Sequence, residues 1–438
     1  MYSFAALAAL TAALIGQSLA IPVQVNPGSD SDVTVHKNNT LNGTLAGGAT
    51  GTTAAPTDVA SVGGNPKLGL VFQNNFASGP VNVYIQGLDP KGQIVFVLPD
   101  GSFYYPPATT SSTPVKISKD LSIPLGGKGS SKSLKMPDYL SSGRIYTAAG
   151  ALSFYLVSGG LVQPSVTNPK DPNIDVNYGF AEFSNNARGI YADVSFVDFL
   201  GIPLGLSLQS TSGTQSVKGV GTTAVSDVCS ALKAQAAIDG APWDDLCVTD
   251  AKGNLVRVIA PTDYISATNT GFNNYWSSYI DQVWTKYTTN TLTIDTQGAA
   301  GKVACKVTSG TLTCAGDNRG YAKPSAADIF GCDSGPFKIL KTDNSVHAAV
   351  VPRLCAAFDR STLLLSGGNV QPSLPSSSYY TVSPTNHFSR IVHKYELGGL
   401  GYAFAYDDVA SNGAPSAAGL VSDANPQVLT VVIGGPSS

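Results

Sequence analysis

The stretch "GFAEFSNNARGIYADVSFVDFLGIPLGL", residues 179 to 206, sets three carboxylates, Glu182, Asp193 and Asp198, among apolar and small residues in a chain that is only 13% charged. Its pattern is that of paired strands. In "YGFAEFS", Tyr178, Phe180, Glu182 and Ser184 alternate onto one face, and "NNARG" turns the chain into a second run, "YADVSFVDF". There Asp193 and Ser195 share one face, while Val194, Phe196 and Asp198 share the other. A regular hairpin would put Glu182 opposite residues 192 to 194 and leave Asp198 on the order of 13 Å further along at ~3.3 Å per residue. Bringing Asp198 to Glu182 therefore requires a staggered or bent second strand, ended by Gly201 and Pro203.

The same short alternating runs extend outward from this stretch. "LGLVF" from Leu68, "VNVYIQG", "QIVFVL", "RIYTA" and "LSFYLV" are separated by Gly, Pro, Asp and Ser turns, which predicts a β-sandwich or barrel up to about Leu208. Helical signals are confined to the following segment. Ser226 to Ala237 reads as a helix with Ser226 as its N-cap, and "FNNYWSSYIDQVWTKY" spaces Tyr275, Tyr279 and Val283 with Trp276, Ile280, Trp284 and Tyr287 as a core-facing stripe. After about Ser366, "YYTV", "FSRIVHKYEL", "GYAFAYDD" and "VLTVVI" read as strands again. The expected organisation is a mainly β fold: a β domain from residues 67–210 and 366–438, an inserted mixed α/β domain from 211–365, and a groove between them.

Composition narrows the compartment and the partners. "MYSFAALAALTAALIGQSLA" ends in a small-x-small triad and reads as a signal peptide cleaved after Ala20, although it carries no Lys or Arg. Residues 21 to 66 are rich in Gly, Thr, Ala, Ser and Asn, with sequons at Asn38 and Asn42, and are expected to form a disordered leader without a catalytic role. All six cysteines, Cys229, Cys247, Cys305, Cys314, Cys332 and Cys355, lie in the second half without paired C-x-x-C knuckles. In a secreted chain they predict disulfides, and their clustering favours neighbour pairing. Net charge is −3 with no basic block, which argues against nucleic acid and anionic membranes. The expectation is a secreted, extracellular or cell-wall monomer.

Several chemistries are excluded. No G-x-S-x-G, P-loop or H-E-x-x-H motif is present, "LGGLGYAF" fails the G-x-G-x-x-G spacing, and His36, His347, His387 and His393 are scattered. No metal and no cofactor are expected. Carboxylates remain. Grouping them raises at least one pKa, and glycoside hydrolysis uses that division between a protonated acid and an ionised partner. Solvated strand residues are the plain alternative.

"AEF" followed by "YADVSFVDFLGIPLGL" resembles the signature shared by thaumatin-like proteins and the β-1,3-glucanases of glycoside hydrolase family 64. "SGRIYTA" at Ser142 to Ala148, "DAKGNLVRVIAP" at Asp250 to Pro261, "LCAAFDRSTL" at Leu354 to Leu363 and "GYAFAYDDV" at Gly401 to Val409 resemble family 64 segments in the same order. The resemblance implies a thaumatin-like β domain and an inverting endo-β-1,3-glucanase acting on laminarin or cell-wall glucan. It makes Glu182 the general acid and Asp198 the general base, with Asp193 as the alternative partner. Ser184, Asn186, Tyr191, Asp193 and Ser195 become glucan contacts. Where thaumatin-like clefts carry a further arginine after "GRIW", this chain has Ala148, so no arginine is expected in the site. A non-hydrolytic glucan-binding or antifungal protein using the same groove is the competing reading.

Overall fold

The computed structural model describes residues 23–36, 39–45, 63–414 and 416–436. The expected signal peptide and the sequon at Asn38 lie outside the described residues. The alternating runs become strands because one face of each meets a core. Pro426–Ile433 buries Leu429, Val431 and Ile433, and Lys302–Thr308 alternates exposed and buried along its whole length.

Two sheets form the β body. The larger runs Leu420–Asp423, Gly189–Val194, Tyr178–Asn186, Leu140–Ala148, Val81–Leu88, Ile94–Val97 and Phe103–Tyr104, with Ile123–Leu125 added beside Val81–Leu88. The second runs Gly213–Val217, Leu204–Ser210, Pro426–Ile433, Gly69–Asn74 and Ser131–Lys135. Pro426–Ile433 lies parallel to Gly69–Asn74, and Leu420–Asp423 forms the edge of the larger sheet beside Gly189–Val194. Strands from residues 69–217 and from residues 420–433 therefore build the β body together, and both sheets share one core with the helices.

The cysteine-bearing segment carries helices Ala224–Asp239, Pro261–Thr268, Ser277–Thr289, Ala326–Gly331 and Ser345–Asp359. The first begins two residues before Ser226, whose hydroxyl instead donates to the Thr223 carbonyl, and ends at Gly240 with φ of 70°. The aromatic stripe is core: Trp276, Tyr279, Ile280, Val283, Trp284 and Tyr287 are all buried. Disulfides join Cys229 to Cys247, Cys305 to Cys314 and Cys332 to Cys355.

Two expectations are corrected. "FSRIVHKY" is not a strand but the helix His387–Tyr395, capped by the Asn386 side chain and burying Phe388, Ile391 and Val392 at helical spacing. "YYTV" and "GYAFAYDD" are turns apart from an isolated bridge between Tyr402 and Ser195. Here buried side chains replace a ladder. The Asp407 carboxylate accepts from the Ala403 backbone at 2.9 Å and pairs with Arg360 at 3.0 Å and His393 at 2.9 Å.

The leader is the second correction, because its described parts are built into the fold. Val23–Gln24 adds in parallel to Cys247–Thr249, and Thr40–Asn42 adds antiparallel to Gly160–Val162. Composition alone undervalues strand addition. Backbone bonds supply most of the contact, and Val25, Val33 and Leu45 suffice as buried anchors.

The bend required of the second strand is present. The pairs Glu182↔Asp193 and Ala181↔Val194 would, if continued, set Tyr178 opposite Val197. Instead the Ile202 N–H donates to the Tyr178 carbonyl at 3.3 Å, so the intervening chain leaves the ladder and returns. On the way, Phe196 N–H bonds the Tyr402 carbonyl at 2.7 Å, and Phe199–Leu200 pairs with the strand Leu255–Ile259. The return depends on Gly201, where a β-carbon would sit 1.8 Å from the Tyr178 carbonyl oxygen. Gly201→Ala should lower stability by about 1–3 kcal/mol or more in urea unfolding. Gly221→Ala, where an added β-carbon meets nothing within 4 Å, should leave the midpoint unchanged.

Candidate active site

Strand register sets the first part of the site. Leu140–Ala148 places Arg144 opposite Glu182, and Gly189–Val194 places Asp193 opposite Glu182 from the other side. Arg144, Glu182 and Asp193 thus form a row across three neighbouring strands. Arg144 donates from Nε to Glu182 Oε1 at 2.8 Å, and its guanidinium carbon lies 4.4 Å from the centre of the Phe180 ring. Packing over that ring holds a group that cannot lose its charge.

A bulge shapes the strand that carries the arginine. Its pairing with both neighbours shifts register between Leu140 and Arg144, Ser142 adopts φ of 49°, and its N–H donates to Ser184 Oγ at 3.1 Å. Gly143 permits the close approach, since a β-carbon there would lie 2.6 Å from the Phe183 ring. Bulges of this kind re-aim side chains beside functional sites.

The excursion after Val194 brings in Asp198. Its Oδ2 lies 3.8 Å from Arg144 Nη2, so one guanidinium faces both Glu182 and Asp198. The Asp198 carbonyl accepts from Ala260 N–H at 2.8 Å, which ties it to the start of helix Pro261–Thr268. That helix presents Asp263, which is only 3% exposed and whose Oδ2 has no hydrogen-bond partner. These groups line a cleft of about 610 Å³, with Glu182 side chain 40% and Asp198 side chain 31% exposed.

Burial decides which carboxyls hold protons. It pushes Asp193 up to about 7, with the charge of Glu182 adding and Arg144 opposing. It also raises Asp198, against Arg144 and with a further push from Glu182. Asp263 is held well above the usual carboxylate range, first by burial and then by the charge of Asp198. Among the described residues, Cys332, Cys355 and Asp359 have metal-ligand spacing, but the two sulfurs are bonded to each other. The cleft has the makings of acid–base chemistry.

The β-1,3-glucanase family, glycoside hydrolase family 64, matches residues 66–433. The chain belongs to that family. Glucan endo-1,3-β-glucosidases from Cellulosimicrobium cellulans and from Arthrobacter sp. (strain YCWD3) are each 27% identical over 88% of this chain and 67% of their own length. A laminaripentaose-producing β-1,3-glucanase solved with laminaritetraose superposes with a TM-score of 0.74 at 28% identity, over 84% of this chain and 99% of that one. A family 64 domain from Clostridium beijerinckii, 21% identical, shares the fold with a TM-score of 0.64 over 84% and 98% of the two chains.

In this family 64 chain the cleft gathers Glu182, Asp198, Ser184, Tyr191 and Asp193. Ser184 and Tyr191 pair across strands, and Tyr191 is 56% exposed. Asn186 sits at the hairpin end, where its Oδ1 accepts from Arg188 N–H, and is not part of the cleft lining. Ser195 likewise does not line it; its Oγ accepts from Val197 N–H at 3.4 Å within the excursion. The expectation of a site without arginine is corrected by Arg144, whose signal was a lone cation inside the apolar alternation of "GRIYTA". Asp263 was also missed, because an acid in a first helical turn reads as ordinary helix chemistry.

Two outcomes follow from this electrostatics. Arg144→Met should reduce kcat on the order of 10²-fold. It should also lower Tm more at pH 8 than at pH 5, where the carboxyls it leaves behind can take up protons. For Asp193, the folded carboxyl keeps its proton up to about 7 while the unfolded one ionises near 3.8. Folding therefore binds protons in that window, and its contribution to stability is lost as pH rises through it. Asp193→Asn removes the loss, so the Tm difference between variant and parent should be more positive at pH 8 than at pH 4 in calorimetry.

Proposed function

We propose that this chain is a secreted endo-β-1,3-glucanase that inverts anomeric configuration, with Glu182 as general acid and Asp198 as general base. The observation that carries the reading is the single guanidinium of Arg144 in contact with both carboxyls, at 2.8 and 3.8 Å, within one cleft. A pair held apart by an intervening group suits inversion, where a water must fit and the carboxyls stand about 6.5–9.5 Å apart; a retaining pair is closer, about 5–5.5 Å.

The direction of the assignment rests on the resemblance of the "AEF" and "VDF" segments to the family pattern. Glu182 and Asp193 face each other, and Asp193 retains its proton toward neutral pH, so a proton is held on that side of the cleft. Glu182 passes a proton to the leaving glycosidic oxygen, and Asp198, on the other side of Arg144, draws one from the attacking water. Attack occurs opposite the leaving group, and no covalent intermediate forms. Tyr191 offers a flat apolar surface to a pyranose ring. Secretion is supported by the apolar N-terminal run and by three disulfides, which persist in oxidising compartments.

An NMR time course on a linear β-1,3-glucan should show the α anomer as first product; β product appearing first would reject inversion and shift suspicion to the closer Glu182–Asp193 pair. Glu182→Gln and Asp198→Ala should each lose on the order of 10²–10⁴ in rate while keeping the parent circular dichroism spectrum. Azide should restore turnover in Asp198→Ala, giving an α-glucosyl azide, and leave Glu182→Gln slow.

A further inference from the structure

The N-terminal segment that composition marked as an idle leader reaches the cleft itself. Thr40 and Leu41 line the same cavity as Glu182, and Asn39 lines a smaller adjoining one with Arg144, Asp198 and Asp263. None of the three lies within the family-matching span of residues 66–433.

This segment is a strap fixed at several points. At one end Val23–Gln24 pairs with Cys247–Thr249, and Gln24 Nε2 donates to the Ala251 carbonyl at 2.8 Å. Asp30 then accepts from Tyr155 Oη at 2.6 Å and pairs with Lys116 at 3.3 Å, while Asn168 Nδ2 donates to the Asp32 carbonyl at 2.8 Å. At the other end Gln163 N–H donates to the Asn39 carbonyl at 2.7 Å, Thr40–Asn42 pairs with Gly160–Val162, and Ile94 N–H bonds the Thr44 carbonyl at 2.9 Å. Val25 and Leu45 are buried in the main core. So many fixed bonds make a wall rather than a loose tail.

Its side of the cleft follows from the sheet order. Tyr191 lies on the strand next to Glu182 on one flank, and Arg144 on the strand next to it on the other. The strap lies on the Arg144 flank and beyond. A β-carbon on Gly43 would be 2.6 Å from Leu88 Cδ2 and 2.8 Å from Ile94 Cγ1, side chains of the next two strands out. Strands about 4.8 Å apart put this wall a few strand spacings from Tyr191. A glucan lying across the strands would run from Tyr191, past Glu182, toward residues 39–41.

Resting on the reading above, we propose that residues 39–41 form the end wall of the glucan cleft on the Arg144 flank. They determine how many glucose units fit between the cleaved bond and that wall, and hence the length of the oligosaccharide released. Leu41 supplies apolar surface and Thr40 a small side chain at this end, both only partly buried.

The test uses the full chain and three variants, Thr40→Ser, which keeps the sequon at Asn38, Leu41→Ala and Leu41→Trp, acting on a linear β-1,3-glucan and on laminari-oligosaccharides of defined length. Products are resolved by anion-exchange chromatography. Thr40→Ser and Leu41→Ala should shift the product ladder to longer oligosaccharides, with kcat/KM changed more for substrates long enough to reach the wall than for shorter ones. Leu41→Trp should shift it to shorter ones and raise KM for the longer substrates about tenfold. Opposite shifts from two changes at one position cannot come from misfolding. Identical ladders for all four proteins, or a uniform change in kcat/KM with the ladder unaltered, would overturn the end wall. A parent protein that releases no product from any β-1,3-glucan would overturn the glucanase reading instead.

Discussion

One permanent cation, Arg144, among the five carboxyl groups of Glu182, Asp193, Asp198, Asp263 and Asp333 is the constraint on which the cleft depends. Arg144 touches Glu182 and Asp198, and its charge also opposes the upward shifts of Asp193 and Asp263. In a partly desolvated cleft, one positive charge cannot offset five negative ones at tolerable cost. The excess is relieved by protons, with Asp193 and Asp263 holding theirs far above the pH at which a solvated carboxyl ionises. The same imbalance weakens the fold toward alkaline pH.

The scaffold supplies these charges by two different routes. Arg144, Glu182 and Asp193 stand in line because three adjacent strands share a register, and a slip of one residue would turn each away from the cleft. Asp198 and Asp263 arrive by tertiary structure: an excursion out of the ladder, and a helix whose approach is fixed by the Ala260–Asp198 backbone bond. Glycines at 143 and 201 lie where the backbone must pass too close to its neighbour for any side chain.

Much of this was legible in the residues. The alternating runs read correctly up to Leu208, the disulfide pairs followed from clustering, and the charged hairpin stood out because so little else is charged. What escaped was decided by contacts distant in sequence. "FSRIVHKY" carries helical spacing at Phe388, Ile391, Val392 and Tyr395, but the β runs around it drew it into their pattern. "GYAFAYDD" has strand composition, yet Asp407 gathers Arg360, His393 and the Ala403 backbone around itself, which no local pattern reveals. Arg144 was visible as a lone cation in an apolar strand, but its partners lie on other strands. The described parts of the leader depart from the expectation because composition counts apolar residues, whereas strand addition depends mainly on free backbone edges to join.

The two routes also differ in what they hold constant. The Arg144–Glu182 contact joins neighbouring strands of one sheet and is as fixed as the sheet. The position of Asp198 is shared between that sheet and the helix-bearing part, through Tyr402 on one side and the strand Leu255–Ile259 on the other. The gap between Glu182 and Asp198 is therefore a tertiary quantity, set by how the two parts pack. Packing changes far from the sheet can tune it while the charged row across the strands stays in register.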